Sequence, residues 1–317
     1  MKNFGTTDIL KSKIHQFLNT KEVYFKIAAN RRYSYPIYKT PPVFEVLTDK
    51  KVTITHFDYI VEMAYYIQYT AELPFTSEKK LVGLYTDSFP HEGPSFDGKR
   101  NINLKSLNRE MFYNNYLKPY DGVVVGNMNL YNDYAPLTSK LVFANGIYLQ
   151  NQFVGNLKIG NQETLTIAWT GTPDRPMKGF RSVIEPAIEA VQKTGRKINL
   201  KTKFSGNYEE LLTFYKDVDL VVIASEADTG PSLFAEASLS NVPSISTEIG
   251  FPKMVIQHQE NGIFINRNVE DMTQAIIDLY DHREKLTMFS KRIKKDYLSV
   301  LSNDISINNL KTFLNQL

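Results

Sequence analysis

From about residue 160 onward, short β-rich runs alternate with amphipathic helix-like stretches. That alternation is the signature of βαβ units, because strands joined through helices pair in parallel within one sheet. The spacing predicts strands at residues 164–169, 198–204, 219–224, 242–247 and 262–265. It predicts helices at 179–194, 207–218, 231–240 and 269–280 between and after them. The first helix is opened by a Gly-containing turn. Asn207 is a candidate N-cap ahead of Glu209 and Glu210, and Pro231 suits a first-turn position.

The N-terminal part uses the same alphabet. Residues 52–55, 80–85 and 122–125 read as buried strands, and 59–69 and 108–117 as helices, so a second α/β unit is expected. The stretch QNQFVGNLKIGNQ, residues 150–162, is polar and contains glycine, as a linker does. The expected organisation is an N-terminal domain over residues 1–155, a C-terminal domain over 156–300, and a tail at 301–317 forming a helix that packs back on the N-terminal domain. The chain after Lys285 reads as one or two helices. Its KRIKKDY segment is a basic face better explained as solvated helix surface than as an anion site.

Composition limits the function classes. A chain of 317 residues with 42% hydrophobic residues can bury one or two ordinary cores. Its 37 Lys+Arg and 34 Asp+Glu leave a net charge of +3, too weak and too evenly spread for a nucleic-acid partner. With no cysteine there are no disulfides, thiolate metal sites or cysteine nucleophiles, which fits a reducing compartment. The first residues lack a continuous apolar h-region, and no later run approaches the roughly 20 apolar residues of a membrane span. The expectation is a soluble, cytoplasmic protein. Peripheral membrane contact could use Lys11, Lys13, Lys21, Lys26, Arg31 and Arg32.

The most informative stretch is residues 225–265, SEADTGPSLFAEASLSNVPSISTEIGFPKMVIQHQENGIFI. A strand ends, a turn follows at Gly230 and Pro231, and a helix begins whose first N–H groups, at Ser232 and Leu233, have no partner within the helix. Free donors at the positive end of a helix dipole stabilise a phosphate without any metal. Asp228 and Glu236, eight positions apart, flank this start. One can hold sugar hydroxyls and the other a ribose, as acidic residues do in nucleotide sites. On these residues alone, Asp228 as a helix cap and Glu236 as a surface residue fits equally well. A second segment, IAWTGTPDRPMKGF at 167–180, runs from a strand into a Gly/Pro turn and brings Lys178 toward the same carboxyl edge.

Together these segments resemble the donor-binding half of family-4-type glycosyltransferases of the GT-B fold. Glu236 matches the second of that family's two glutamates, and Asp228 stands where the first would be. The run NVPSIST and the later Asn-Gly-Ile-Phe continue the likeness, as do, more faintly, DGVVVGN at 121–127 and LVFANGIYLQNQF at 141–153. Lys178-Gly179 matches the family's Lys-Gly, and Arg175 lies nearer to the lysine than the family's arginine does. The family's Gly-rich loop after its first strand has no counterpart in residues 1–55. The resemblance implies an α/β chain of two Rossmann-like domains facing across a cleft, and a metal-independent, retaining transfer of sugar from a nucleoside diphosphate donor. That donor is the substrate, and no cofactor is implied. In those terms Lys178, helped by Arg175 and by the helix start at Gly230, Pro231, Ser232 and Leu233, holds the diphosphate. Glu236 takes the ribose, Asp228 the sugar, and a glycan, lipid-linked or protein acceptor supplies the hydroxyl.

On the acceptor side, the loop within residues 81–100 is rich in Asp, His, Gly and Pro, which makes Asp87 and His91 candidates to orient or deprotonate that hydroxyl. Asp87 as a turn cap and His91 as an ordinary loop residue is the equal alternative. The only Asp-x-Asp pair, Asp217 and Asp219, precedes an apolar run and so enters a strand, the wrong end for a metal-held diphosphate. No dinucleotide fingerprint or Walker-type lysine loop is present. Two further readings stand beside the transferase: a sugar-nucleotide epimerase on the same fold, and a non-catalytic subunit that binds a nucleotide sugar or stabilises a partner.

Overall fold

The computed structural model describes residues 23–25, 43–46, 50–53, 56–63, 76–85, 108–145, 150–156, 159–160, 163–204 and 208–317. The chain divides into two compact units, residues 1–145 with 306–317, and residues 146–305.

In the first unit, β1 (Val23–Phe25), β2 (Val43–Val46), β3 (Lys50–Thr53), β4 (His56–Met63) and β5 (Thr76–Leu84) are followed by α1 (Arg109–Phe112), which runs on into a π-helical turn at Tyr113–Leu117. Then come β6 (Gly122–Val125), α2 (Met128–Tyr134) and β7 (Leu141–Phe143). Five strands form a parallel sheet in the order β1-β4-β5-β6-β7. Both helices start on asparagines: Asn108 accepts from the Met111 N–H and Asn127 from the Leu130 N–H, each at 2.8 Å.

Two expectations fail here. Of the strand expected at residues 52–55, Val52 and Thr53 are not part of the parallel sheet but end β3, which pairs antiparallel with β2, and residues 54 and 55 lie outside the described residues. The helix expected at 59–69 is contradicted, because residues 56–63 are β4. The run Tyr59-Ile60-Val61 is aromatic and β-branched, which suits a pleated, packed surface. Inserted between β1 and β5, it pairs Tyr59 with Val23 on one side and Lys79 on the other, so its backbone groups are satisfied by two neighbours. The apolar spacing at 59, 60, 63 and 64 suits a helix equally well, and the tertiary setting decides against it. The central strands β5 and β6 read as continuous apolar runs because both faces are covered: Leu81, Val82, Leu84, Val124 and Val125 are fully buried.

The second unit contains β8 (Leu165–Thr170), a 3-10 turn at Pro176–Lys178, a π-helical turn at Phe180–Ile184, α3 (Glu185–Lys193), β9 (Ile198–Lys203) and α4 (Tyr208–Phe214). It continues with β10 (Leu220–Ile223), α5 (Ser232–Leu239), β11 (Ser244–Ser246), α6 (Gly250–Val255), β12 (Ile263–Phe264), α7 (Val269–Asp281) and α8 (Arg283–Leu301). All five predicted strands are present within a few residues of their expected ends; Asn207 lies outside the described residues. The sheet is parallel in the order β12-β11-β10-β8-β9. The chain therefore steps outward from β8 to β9, crosses back over β8 to β10, and winds away through β11 and β12. That reversal makes the carboxyl ends of β8 and β10 the topological switch point of the sheet, the place where ligands bind in open α/β sheets. Of the helices around this sheet, α5 is buried from Leu233 to Leu239.

The chain ends in α9 (Asn303–Leu314), whose residues from Ser306 onward belong to the first unit. Leu310, Phe313 and Leu314 pack on Tyr59, Leu81, Val124, Val142 and Ala144. The Tyr59 hydroxyl donates to the Leu314 carbonyl at 2.9 Å, and Asn309 Nδ2 to the Phe143 carbonyl at 3.1 Å. The Phe313 ring takes the place of a side chain at Gly122, where a Cβ would lie 2.5 Å from its Cζ. Phe313→Ala is expected to cost the first unit about 3–5 kcal/mol through lost burial and the cavity left behind. Denaturant unfolding followed by a probe in the first sheet checks this.

Candidate functional site

Four loops at the carboxyl ends of β8, β10, β11 and β12 are stitched to one another. Gly179 turns the chain after β8 with φ of +69°, and a Cβ there would stand 2.4 Å from the Ala224 carbonyl oxygen after β10. This is a close backbone approach that only glycine permits. The Glu226 N–H donates to the Met177 carbonyl at 2.8 Å, and Thr247 Oγ1 donates to the Ser225 carbonyl at 2.7 Å. Arg267, after β12, reaches over both lips: Nε donates to the Ala224 carbonyl at 2.9 Å and Nη2 to the Pro176 carbonyl at 2.8 Å. Gly179→Ala is expected to destabilise the second unit by at least about 1–3 kcal/mol through its left-handed backbone, and to push the turn off the end of β10. A thermal melt checks the first effect and ligand binding the second.

This stitching brings the sequence candidates together. Lys178 Nζ forms an ion pair and hydrogen bond with Asp228 Oδ2, and their side chains are only 22% and 17% exposed. At that depth the pair is less screened than a surface salt bridge and holds both side chains in place. The α5 helix begins four residues after Asp228, with Pro231 at the N-cap position and no side-chain cap. Asp228 is thus not the cap of α5. The N–H groups of Ser232 and Leu233 make no hydrogen bond among the described residues, so the helix start keeps donors available to an anion. Gly230 lies against the Phe251 ring, where a Cβ would come within 2.3 Å. Arg175 Nη2 donates to Met177 Sδ at 3.1 Å.

Glu236, on the second turn of α5, is not a surface residue. It is 4% exposed, and the Tyr215 hydroxyl donates to its Oε2 at 2.8 Å. Burial pushes its carboxyl up to about 7, against the smaller opposing pull of the Tyr215 hydrogen bond. Asp219 lies at the other end of β10, buried, accepting from Asn156 Nδ2 at 3.0 Å and the Thr166 N–H at 2.9 Å, while Asp217 pairs with Lys201. Asp87, His91 and the six basic residues between Lys11 and Arg32 lie outside the described residues.

Two residues of this constellation escaped the sequence reading. Arg267 sits in a polar loop, INRNVED, and looks like ordinary surface. Tyr215 looks like the end of an amphipathic helix, and only the fold brings it to Glu236, 21 positions away.

The two units, each built on a parallel α/β sheet and the second of them doubly wound, have the fold of GT-B glycosyltransferases. Residues 185–296 match the model of the family Glycosyl transferases group 1. No curated protein sequence matches the chain significantly. Among solved structures, an S. aureus TarM variant in complex with fondaparinux, α-GlcNAc-glycerol and UDP is similar, with TM-score 0.60 and 14% identity over 81% of this chain and 55% of that one. Sucrose-phosphate synthase from Thermosynechococcus elongatus has TM-score 0.61 and 12% identity over 82% of this chain and 73% of that one. Anabaena HepE in complex with UDP and glucose has TM-score 0.58 and 11% identity, over 82% and 78%. The chain spans little more than half the length of TarM. No helix among the described residues is long and apolar enough to cross a membrane.

Proposed function

We propose that this chain is a glycosyltransferase that moves a sugar from a nucleoside diphosphate donor to a hydroxyl acceptor, without a metal and with retention. The observation that carries the reading is the meeting of Lys178 and Asp228 beside the uncapped start of α5. An ammonium and two helix N–H groups suit a diphosphate, whose negative charge grows as the sugar leaves, so they stabilise the transition state more than the ground state. Asp228, next to the ammonium, is proposed to accept from the sugar hydroxyls. Glu236, one turn inside, is proposed as the ribose contact. The UDP complexes of TarM and HepE favour a uridine donor, and the fondaparinux and α-GlcNAc-glycerol in the TarM complex favour a glycan acceptor. Asp87 and His91 remain the proposed acceptor residues. Metal-independence is supported by the engagement of Asp217 and Asp219 in structural contacts at the amino end of β10.

Donor turnover by purified protein, with and without a glycan acceptor, tests the reading. Loss of turnover in both Lys178→Ala and Glu236→Ala is expected, and full activity in both removes the site. One observation favours a second reading: Lys178 is neutralised by Asp228, a shorter carboxylate than the family's glutamate, as in a subunit that binds a nucleotide sugar without turning it over. Calorimetric donor binding without turnover under any acceptor would select it.

A further inference from the structure

We propose that Tyr215 is the positioning residue of the carboxylate subsite: its hydroxyl holds Glu236 so that the carboxylate meets a vicinal diol of the bound donor. This rests on the proposed reading of Glu236 as the ribose contact.

Tyr215 is fully buried, immediately after α4, and its side chain reaches α5 to donate to Glu236 Oε2. An ionised carboxylate offers about four acceptor sites, and a phenol supplies one donor. Glu236 has no other hydrogen-bond partner among the described residues, and at 4% exposure little water can reach its ionised form. A vicinal diol brings two O–H donors to one carboxylate, which is what this site lacks. Two hydroxyls of a ribose have that geometry, and a deoxy sugar does not supply it.

Tyr215 also governs how readily the carboxylate is charged. Burial favours the protonated acid and the Tyr215 bond favours the carboxylate, and these are the two influences that act on Glu236. From the elements packed against α5, Tyr297 of α8 meets Phe234, Lys253 of α6 pairs with Glu248, and the Lys178–Asp228 pair lies ahead of the helix start. A protonated Glu236 has one acceptor fewer and donates its own proton, so it fits a diol worse. Diol recognition should therefore strengthen as pH rises through neutrality, and Tyr215 sets where.

The test compares binding of UDP and 2′,3′-dideoxy-UDP by calorimetry at pH 6, 7 and 8, in the intact chain and its variants. The wild type is expected to prefer UDP, more strongly at pH 8 than at pH 6. Tyr215→Phe should cut that preference about tenfold at pH 7 and move its pH midpoint upward. Replacing Tyr215 by 3-fluorotyrosine keeps the shape and strengthens the donor, and should move the midpoint downward. Glu236→Gln should abolish the preference and its pH dependence. If Glu236→Gln loses the preference while Tyr215→Phe keeps both preference and midpoint, the positioning role is overturned and the ribose reading stands. If Glu236→Gln keeps the preference, the ribose reading itself falls. Where Tyr215→Phe does not fold, an unchanged midpoint with 3-fluorotyrosine overturns the proposal.

Discussion

Lys178→Ala is expected to lower kcat/KM for sugar transfer by about 10²–10³-fold, the scale of removing one fixed group that stabilises developing negative charge. Two losses add. The ammonium proposed to face the leaving diphosphate disappears, and Asp228, only 17% exposed, is left as an uncompensated carboxylate. The second loss can be separated from the first, because Asp228→Asn in the Lys178→Ala background removes the repulsion. The double variant is expected to be more active than Lys178→Ala alone. A double-mutant cycle in kcat/KM then measures the coupling. Strict additivity of the two changes would mean that the pair does not act as a unit. Activity of Lys178→Ala within a few-fold of wild type would place the diphosphate elsewhere.

Glu236→Gln should stabilise the protein in alkaline solution while abolishing the preference for a ligand with a ribose diol. In the folded chain the Glu236 carboxyl is raised to about 7, from an ordinary value of 4.5. Below about pH 4.5 both folded and unfolded forms carry the proton, and the stability associated with it is fully present. Between those values the unfolded chain releases its proton and the folded chain keeps it, so stability falls as pH rises. Above about pH 7 roughly 3 kcal/mol has been lost, the free energy equivalent of that shift. The amide keeps the shape and does not titrate. Melting temperatures of the variant and wild type are thus expected to coincide near pH 5 and to separate by several degrees at pH 8, the variant higher. Equal melting at both pH values would mean that Glu236 is solvated in solution. A group that costs stability where the protein works is the usual mark of a site kept for binding.

The parts of this structure legible in the sequence are those where burial is one-dimensional. β8 and β10 lie inside a parallel sheet, covered on both faces, so LTIAWT and LVVI announce themselves as apolar runs. The loops after them were legible through glycine and proline, residues chosen for backbone geometry and not for side-chain chemistry. What escaped needed two distant segments at once. β4 shares its apolar pattern with a helix and becomes a strand only because β1 and β5 flank it. β1 and β2, three and four residues long, carry too little pattern to register alone. The place of Asp228 in the sequence suggests a sugar contact, and its ion pair with Lys178, 50 positions away, exists only once the fold joins the two loops. The burial of Glu236 was hidden for a related reason: one charged residue among apolar neighbours reads as solvent-facing until the helix is found to be covered on every side.

The return of α9 onto the first sheet has a consequence for biosynthesis. Tyr59, Val124 and Val142 emerge from the ribosome long before Phe313 and Leu314, the residues that cover them. The early half of the nascent polypeptide must wait with an apolar face unsealed while the intervening 146–305 unit is translated and folds. That delay is when chaperone capture or misassembly would occur, and a stalled or shortened product would fail first in the portion made earliest.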